Sequence, residues 1–208
     1  MKKKYLKLAR HYESCLEKNG DTYLGAGWPD ADDAELRFKI MLEVINSRNG
    51  DPKTLLDFGC GTGHLCGYVK KHAGRSIKYS GLDISESLLL LAKEKYPDEN
   101  FYQLDIMDGT DELPLFDYIV ANGVFTQKRE LSLDDMLEFM KDSVERLFSK
   151  TRKGLAFNVM SPFVDWENPG NFYLPFNKLT DFLRESISRN FVIRHDYGLY
   201  EYTVYVYK

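Results

Sequence analysis

The stretch TLLDFGCGTGH, residues 54–64, carries more structural information than any other part of the chain. A short apolar strand leads into Asp57, and three glycines then follow at alternate positions, Gly59, Gly61 and Gly63. Because glycine has no Cβ and tolerates positive φ, the backbone can pass very close to a ligand here. A glycine turn between a strand and a helix predicts a binding loop of the nucleotide type.

Outward from this loop, short apolar strands alternate with helical stretches. The predicted strands cover residues 54–58, 77–82, 100–104, 116–121, 154–160, 191–195 and 202–207, and the predicted helices cover 64–72, 86–95, 132–149 and 178–189. Such alternation is typical of a parallel sheet with helices on both faces. The last two strands are joined by a short connection without a helix, so the final strand must run antiparallel to its neighbour.

Two further helices, 3–18 and 31–48, are predicted before the sheet, with a glycine-rich loop between them. Asn49-Gly50-Asp51-Pro52 is a helix-stop sequence and marks the boundary to the sheet. We therefore predict a helical extension or lid over residues 1–50 and a sheet domain over residues 51–208. The basic run Lys2-Lys3-Lys4 reads as a solvated tail.

Composition excludes several classes of protein. With 43% hydrophobic and 29% charged residues, the 208-residue chain fits an ordinary soluble fold. A net charge of −4 gives no general attraction to nucleic acid, and no apolar run reaches the ~18 residues that span a bilayer. Cys15, Cys60 and Cys66 lack metal-ligand spacing, so we expect reduced thiols in a cytoplasmic protein and no metal site.

The acid before the glycines discriminates between two classes of ligand. The spacing here is G-x-G-x-G, whereas dinucleotide-binding loops read G-x-G-x-x-G. A carboxylate at Asp57 would oppose a pyrophosphate but favour a ligand that carries an ammonium and a sulfonium. S-adenosylmethionine carries both groups. Alternatively, Asp57 caps the glycine turn by accepting from its backbone N–H groups.

Acids at the ends of later strands fit the same ligand. Asp83 can accept two hydrogen bonds from ribose hydroxyls, although enzymes that use NAD also place an acid here. Asp105 can accept from an adenine amine while Ile106 packs on the ring, with Asp108 as a competitor in the following loop.

Together these motifs resemble those of class I S-adenosylmethionine-dependent methyltransferases over about residues 54–208. The resemblance rests on LLDFGCGTG, YSGLDIS, FYQLDIMD, FDYIVANGVF and the closing antiparallel strand. It implies a Rossmann-like seven-stranded sheet in the order 3-2-1-4-5-7-6 with strand 7 antiparallel. It also implies S-adenosylmethionine as cofactor and S-adenosylhomocysteine as product. The segments around Trp28 and Leu36-Arg37-Phe38 and the ending RHDY…LYE…TVYVY are similar to a group of uncharacterised bacterial methyltransferases, whose substrate is not named.

The expected cofactor contacts follow from the motifs and the resemblance. They are Trp28, Arg37, Asp57, Gly59, Cys60, Gly61, Gly63, Asp83, Ile84, Asp105, Ile106, Asn122 and Gly123. Backbone carbonyls at the last two would face the sulfonium. Arg37 either lies on a solvated helix face or grips the methionine carboxylate. Trp28 is either a core anchor or part of a lid.

The predicted reaction is an in-line displacement on the sulfonium methyl by an acceptor that the sequence does not identify, expected to be a small molecule. A general base is needed only if the nucleophile is poorly ionised, and His195 and Tyr173 are the weak candidates. His195 would lie on an edge strand, far from the methyl group. The long loop 161–176 after strand five is the best candidate for acceptor recognition.

Two other classes of function stay open. One is an NAD-linked oxidoreductase, and the other is a non-catalytic cofactor-binding module. The sequence is also compatible with either a monomer or a homodimer.

Overall fold

The computed structural model describes residues 3–28, 30–45 and 53–208, and its centre is a mixed seven-stranded sheet. The strands are β1 Lys53–Phe58, β2 Ile77–Asp83, β3 Asn100–Gln103, β4 Phe116–Phe125, β5 Thr151–Met160, β6 Phe191–Arg194 and β7 Glu201–Tyr207. Their order is β3-β2-β1-β4-β5-β7-β6. Neighbours from β3 through β5 pair in parallel, whereas β7 is antiparallel to both β5 and β6. The predicted strand order and the antiparallel final strand are confirmed.

Six helices accompany the sheet in the described part of the chain. They are α1 Leu6–Asn19, α2 Ala31–Leu42, α3 His64–His72, α4 Glu86–Lys95, α5 Leu133–Ser149 and α6 Phe176–Phe182, which continues as a π-helical turn over Leu183–Ile187. Side-chain caps define three of the starts. Asp30, Ser85 and Ser132 each accept from backbone N–H groups of the first helical turn, which satisfies donors that the helix leaves unpaired.

Two predicted boundaries differ most from the structure. Helix α2 ends at Leu42 instead of continuing to residue 48, and the predicted stop at Asn49–Pro52 lies outside the described residues. Strand β4 does not end at residue 121 but continues to Phe125. Its pairing with β5 is irregular between Ala121 and Phe125, and this irregularity accommodates Asn122-Gly123 within the strand. Gly123 adopts φ +78° there, a conformation that suits glycine inside a strand irregularity.

The core lies on both faces of the sheet. Along β4, Tyr118 and Val120 pack into the apolar cluster that contains α2 and α3, whereas Ile119 and Ala121 pack into the cluster that contains α5. Because successive strand residues point to opposite faces, one near-continuous apolar run fills both layers. The strand order reverses between β1 and β4, and the carboxyl ends of the strands leave a crevice at such a reversal.

Candidate functional site

A cleft lies over the carboxyl ends of β1, β2 and β4. The described residues that precede β1, here called the N-terminal segment, cover it. Of the predicted contacts, it is lined by Trp28, Asp57, Gly59, Cys60, Gly61, Asp83, Ile84, Asp105, Ile106, Asn122 and Gly123. The structure therefore brings together eleven of the thirteen predicted cofactor residues, counted from that lining. Gly63 and Arg37 do not line the cleft.

The glycine turn needs its glycines for backbone conformation. Gly59, Gly61 and Gly63 have φ values of +73°, +53° and +84°, in the left-handed region that L side chains rarely adopt. At Gly59 there is also no room, since an added Cβ would lie 2.6 Å from Cγ2 of Val124. The turn can therefore hold its shape only with a bare backbone.

The N–H groups of this turn are used inside the protein. Those of Gly59 and Cys60 both donate to the carbonyl oxygen of Leu82, at 2.8 and 3.1 Å. The N–H of Gly61 donates to Oδ2 of Asp83 at 2.9 Å. Loops that bind pyrophosphate instead point such donors at the anion. This turn therefore offers backbone shape to a ligand, but these three donors are not available to a phosphate.

Asp83 joins the glycine turn to the start of α4. Its Oδ1 accepts from the N–H of Ser85 at 2.9 Å, while its Oδ2 accepts from Gly61. Burial raises the pKa of the Asp83 carboxyl, although these backbone hydrogen bonds oppose the rise. The two carboxylate oxygens together offer about four lone-pair positions, which is more than these backbone N–H groups use. The carboxyl is thus fixed in place and can accept from a diol at the cleft.

Asp57 is buried at the end of β1, with 3% of the residue exposed. The hydroxyl of Tyr79 donates to its Oδ2 at 2.6 Å. Burial raises the pKa of Asp57 to about 7, against the opposing effect of the Tyr79 hydrogen bond, and the nearby Asp83 charge adds to the rise. Its hydrogen-bond partner within the described residues is thus a tyrosine and not the glycine turn, so the turn-capping alternative was wrong.

Asp105 is held by the N-terminal segment. Its Oδ2 accepts from the hydroxyl of Tyr5 at 2.7 Å and from Nζ of Lys3 at 3.0 Å. Lys3 also reaches Asp108 at 2.6 Å, so one lysine bridges the two competing acids. Only Asp105 lines the cleft, which favours it over Asp108. The prediction of a solvated lysine tail was wrong for Lys3 and Lys4, since Lys4 pairs with Asp135.

Further contacts tie the N-terminal segment over the cleft. The hydroxyl of Ser85 donates to Glu13 of α1 at 2.7 Å. Asp21, in the loop after α1, accepts from the Thr62 hydroxyl and from Lys95, each at 2.6 Å. These polar contacts are partly exposed to solvent, where ion pairs contribute little. The hydrogen bonds and ion pairs of Glu13 and Asp21 are therefore individually weak.

Trp28 forms one wall of the cleft, directly against Gly123. An added Cβ on Gly123 would lie 2.5 Å from Cη2 of the Trp28 ring. The guanidinium of Arg37 lies 4.7 Å from the centre of the same ring, in cation–π geometry. Trp28 thus lines the cleft and also packs against Gly123 and Arg37.

Arg37 is not on a solvated helix face, and its grip on the methionine carboxylate stays a prediction. Its Nε donates to Oε2 of Glu201 at 2.9 Å, in an ion pair whose side chains are 13% and 2% exposed. A residue paired in this way is not on a solvated helix face, and Arg37 does not line the cleft. The prediction went astray because the partner comes from β7, at the far end of the chain.

The sequence reading missed a buried polar network behind Gly123. Oδ1 of Asn158 accepts from the N–H of Gly123 at 2.7 Å, and its Nδ2 donates to Oε1 of Glu201 at 2.8 Å. Asn158 and Glu201 are almost fully buried. The only signal was a polar residue inside each of two apolar strands. The network links the Arg37 pair to the backbone at the cleft.

Neither weak catalytic candidate lines the cleft. The His195 ring is exposed and lies among aromatic rings, 5.7 Å from that of Phe176 and 6.3 Å from that of Tyr202. The Tyr173 hydroxyl accepts from the N–H of Asn168 at 2.8 Å. Geometry therefore gives no support to either residue as a general base.

The loop after β5 is half anchored and half exposed. Phe172 and Leu174 are buried in the core, and the N–H of Phe172 donates to the carbonyl of Thr126 at 2.8 Å. By contrast, Phe163 and Trp166 are 70% and 72% exposed. Any recognition by this loop would therefore come from its first half or from its contact with the loop after β4.

Within the ranges 3–28, 30–45 and 53–208, no cluster of three His, Cys, Asp or Glu side chains could hold a metal ion. The same ranges contain no helix that is long and apolar enough to cross a membrane.

Comparison with known proteins finds similarity to methyltransferases. A family model described as a methyltransferase domain matches residues 56–148. The "Putative methyltransferase Rv1506c" of Mycobacterium tuberculosis is 26% identical over 169 residues, covering 80% of this chain and 99% of that protein. Demethylmenaquinone methyltransferase of Bacillus subtilis is 34% identical over 83 residues, or 38% of this chain and 35% of that enzyme.

Solved structures agree on the fold. Magnesium protoporphyrin IX methyltransferase from Synechocystis, with bound S-adenosylhomocysteine, superposes with a TM-score of 0.62 at 13% identity and covers 97% of this chain and 94% of that one. An S-adenosylmethionine-dependent methyltransferase from Clostridium acetobutylicum gives 0.58 at 15% identity, with 98% of both chains covered. The resemblance to class I methyltransferases that the motifs predicted is confirmed.

Proposed function

We propose that this class I methyltransferase transfers the methyl group of S-adenosylmethionine to a small-molecule acceptor. The observation that carries the proposal is the pairing of a buried carboxylate, Asp57, with a glycine turn whose N–H groups bond inside the protein. Such a site attracts a cation and presents no N–H cradle to a phosphate. The buried carboxylate and the internally bonded glycine turn therefore fit a sulfonium ligand.

Each cleft residue has a proposed task. Asp83 would accept from the ribose hydroxyls, and Asp105 from the adenine amine after the Tyr5 hydroxyl yields its place. Ile106 is buried and would pack on the adenine ring. Carbonyl groups at Asn122 and Gly123 would face the sulfonium. Gly63 does not line the cleft, but as the N-cap of α3 it adopts the left-handed backbone conformation from which that helix begins.

Residues 1–50 would serve as a lid, as the sequence suggested. Tyr5, Tyr12 and Trp28 line the cleft from this side. Helix α2 is anchored in the core and through the buried Arg37–Glu201 pair. The salt bridges of the part before α2 are exposed and weak, so that part would open for the cofactor and then close. Closure would exclude water from the cleft.

Methyl transfer from S-adenosylmethionine requires the protein mainly to position the two reactants. When bound, the cofactor supplies a methyl group that is already strongly electrophilic. The cleft residues hold the two reactants in line and keep water out, which accounts for much of the rate in such reactions. The absence of a basic side chain from the described cleft lining, apart from His64, fits an acceptor that is ionised or activated without a general base.

The proposal is tested by product formation. Purified protein is incubated with S-adenosylmethionine and a panel of small-molecule acceptors, and S-adenosylhomocysteine is measured by mass spectrometry. We expect product that depends on one acceptor class. Cofactor binding without turnover of any acceptor would support the non-catalytic module instead.

Asp83→Ala is expected to weaken S-adenosylmethionine binding by about 1.5–3 kcal/mol, the range for hydrogen bonds to a charged group. Calorimetry measures the affinity, and circular dichroism verifies the fold. Asp108→Ala is the matched control, because Asp108 is an exposed acid outside the cleft lining. Equal affinities for the two variants would remove Asp83 from the site.

Affinity for S-adenosylmethionine should rise with pH up to about 7, the pKa of Asp57 in the free protein. A cation favours the ionised carboxylate, so binding below that pKa releases a proton, and the gain levels off once Asp57 is already ionised. Titration calorimetry in buffers of different ionisation enthalpy measures the released proton. Asp57→Asn should remove the pH slope. A slope that persists in Asp57→Asn would assign the titration to another group.

A further inference from the structure

The loop after β4 contains an arginine held in a strained position. Arg129 has φ +50°, and it is the only non-glycine residue with positive φ in the described part of the chain. Two backbone hydrogen bonds hold it there, since the N–H groups of Lys128 and Arg129 both donate to the carbonyl of Gly170 at 2.9 Å. Such strain persists only where the surroundings impose it, and it is concentrated at functional sites.

The side chain of Arg129 has a buried donor without an acceptor. Its Nε is buried and unpartnered, and so is Oε1 of the neighbouring Gln127. Arg37 and Arg194, in comparison, each pair with carboxylates. Within the described ranges, Arg129 forms no salt bridge. Leaving a charged donor buried and unpaired is costly, and an anion at this position would relieve that cost.

Two acids that follow Arg129 in the chain are already paired. Glu130, the next residue, is highly exposed and pairs with Lys7 at 2.9 Å. Asp135, at the start of α5, pairs with Lys4 and also accepts from the Ser132 hydroxyl. Neither acid is therefore free to pair with Arg129, and its Nε is left open to an anion from outside the chain.

Arg129 lies beside the cleft but outside its lining. Burial lowers the pKa of His11 of α1, and the positive charge of Arg129 lowers it further. The same charge opposes the rise that burial causes in the pKa of Tyr12, which lines the cleft. On the other side, Gly170 belongs to the loop after β5, and Gln127 and Asn171 form a bridge between the two loops. Gln127 and Arg129 follow the end of β4, the strand that brings Gly123 to the cleft. They therefore lie at the edge of the sheet where the second reactant would bind.

We propose that Arg129 and Gln127 bind an anionic group, a carboxylate or a phosphate, of the methyl acceptor. The inference rests on the proposed methyl transfer for the identity of the ligand. The guanidinium donates to the anion in the geometry that suits carboxylate and phosphate oxygens. The amide oxygen of Gln127 accepts from a hydroxyl or amine beside that group. The acceptor class is thus a small acid with an adjacent hydrogen-bond donor.

Binding of simple anions tests this site directly. The full chain, saturated with S-adenosylhomocysteine, is titrated with acetate, inorganic phosphate or acetamide while the backbone amide resonance of Gly170 is followed by NMR. We expect saturable shifts with acetate or phosphate and none with acetamide. The preferred anion distinguishes a carboxylate acceptor from a phosphorylated one. No shift with either anion, or an equal shift with acetamide, overturns the proposal.

Two variants and a control complete the test. Arg129→Gln should weaken anion affinity about tenfold or more, the scale of a lost charge-assisted hydrogen bond. Arg129→Gly also removes the guanidinium but tolerates the positive φ, so it keeps the test valid if Arg129→Gln misfolds. Arg184→Gln, which removes an exposed arginine, should leave anion affinity unchanged. Anion affinity that survives both Arg129 variants overturns the proposal.

Cofactor calorimetry separates this inference from the proposed function. Arg129→Gln should bind S-adenosylmethionine as the wild type does. A tenfold loss would assign Arg129 to the cofactor's own carboxylate and overturn the acceptor site. If the wild-type protein itself shows no binding heat, the proposed function fails, whereas the Gly170 titration, repeated without S-adenosylhomocysteine, still reports on the anion site.

Discussion

Replacing Glu201 with alanine is expected to lower the free energy of unfolding by about 3–5 kcal/mol, the cost of breaking one side of a buried ion pair. Glu201 is 2% exposed and holds both Nε of Arg37 and Nδ2 of Asn158. Its removal leaves a buried guanidinium and a buried amide without their acceptor. Urea-induced unfolding, followed by circular dichroism, measures the change.

The matched control is Glu43→Ala, which removes one partner of Arg194. That ion pair is exposed, with side chains 28% and 38% accessible, so its loss should cost about 1 kcal/mol or less. Arg37→Met combined with Glu201→Ala should recover part of the lost stability, because the unpaired charge is then gone. A Glu201→Ala protein within 1 kcal/mol of the wild type would show that the pair is not buried as described.

Gly123→Ala is expected to have the second large effect. Positive φ costs an alanine about 1–2 kcal/mol, and forcing a methyl group into a packed site costs about 1–3 kcal/mol more. The new Cβ would lie 2.5 Å from Trp28, so the ring must move and the cleft wall with it. We therefore expect a loss of stability of about 2–5 kcal/mol together with weaker S-adenosylmethionine binding, by about tenfold or more.

Gly198→Ala separates strain from contact. Gly198 has φ +77°, almost the same as the +78° of Gly123, but an added Cβ there meets nothing within 4 Å. Its variant should lose only the strain energy and should bind the cofactor normally. Equal losses in the two variants, in stability and in affinity, would mean that Trp28 does not pack on Gly123.

The sequence was sufficient to predict the order of the sheet and the acidic residues at the carboxyl ends of its strands. The strand ends and the glycine turn are local patterns, and parallel strands bring their carboxyl ends to one edge. Asp57, Asp83 and Asp105 therefore meet at the cleft as predicted. The unusual course of β4 was missed because Asn122-Gly123 reads as a turn, whereas the structure continues the strand through it.

What the sequence did not predict depends on contacts between distant parts of the chain. Arg37 and Glu201 are 164 positions apart, and Lys3 and Asp105 are 102 apart. No local pattern indicates that these charges meet. The strained backbone at Arg129 likewise depends on hydrogen bonds to Gly170 in another loop. The hydrophobic periodicity of the sequence does not indicate these bonds. Packing between the N-terminal segment and the sheet domain decides these residues.

Titration calorimetry of the wild-type chain with S-adenosylmethionine and, separately, with NAD tests the central claim most directly. If the carboxylate before the glycine turn selects a cationic methyl donor, S-adenosylmethionine binds with one site per chain and NAD gives no heat. Binding of NAD together with no response to S-adenosylmethionine would contradict the claim and establish a dinucleotide enzyme.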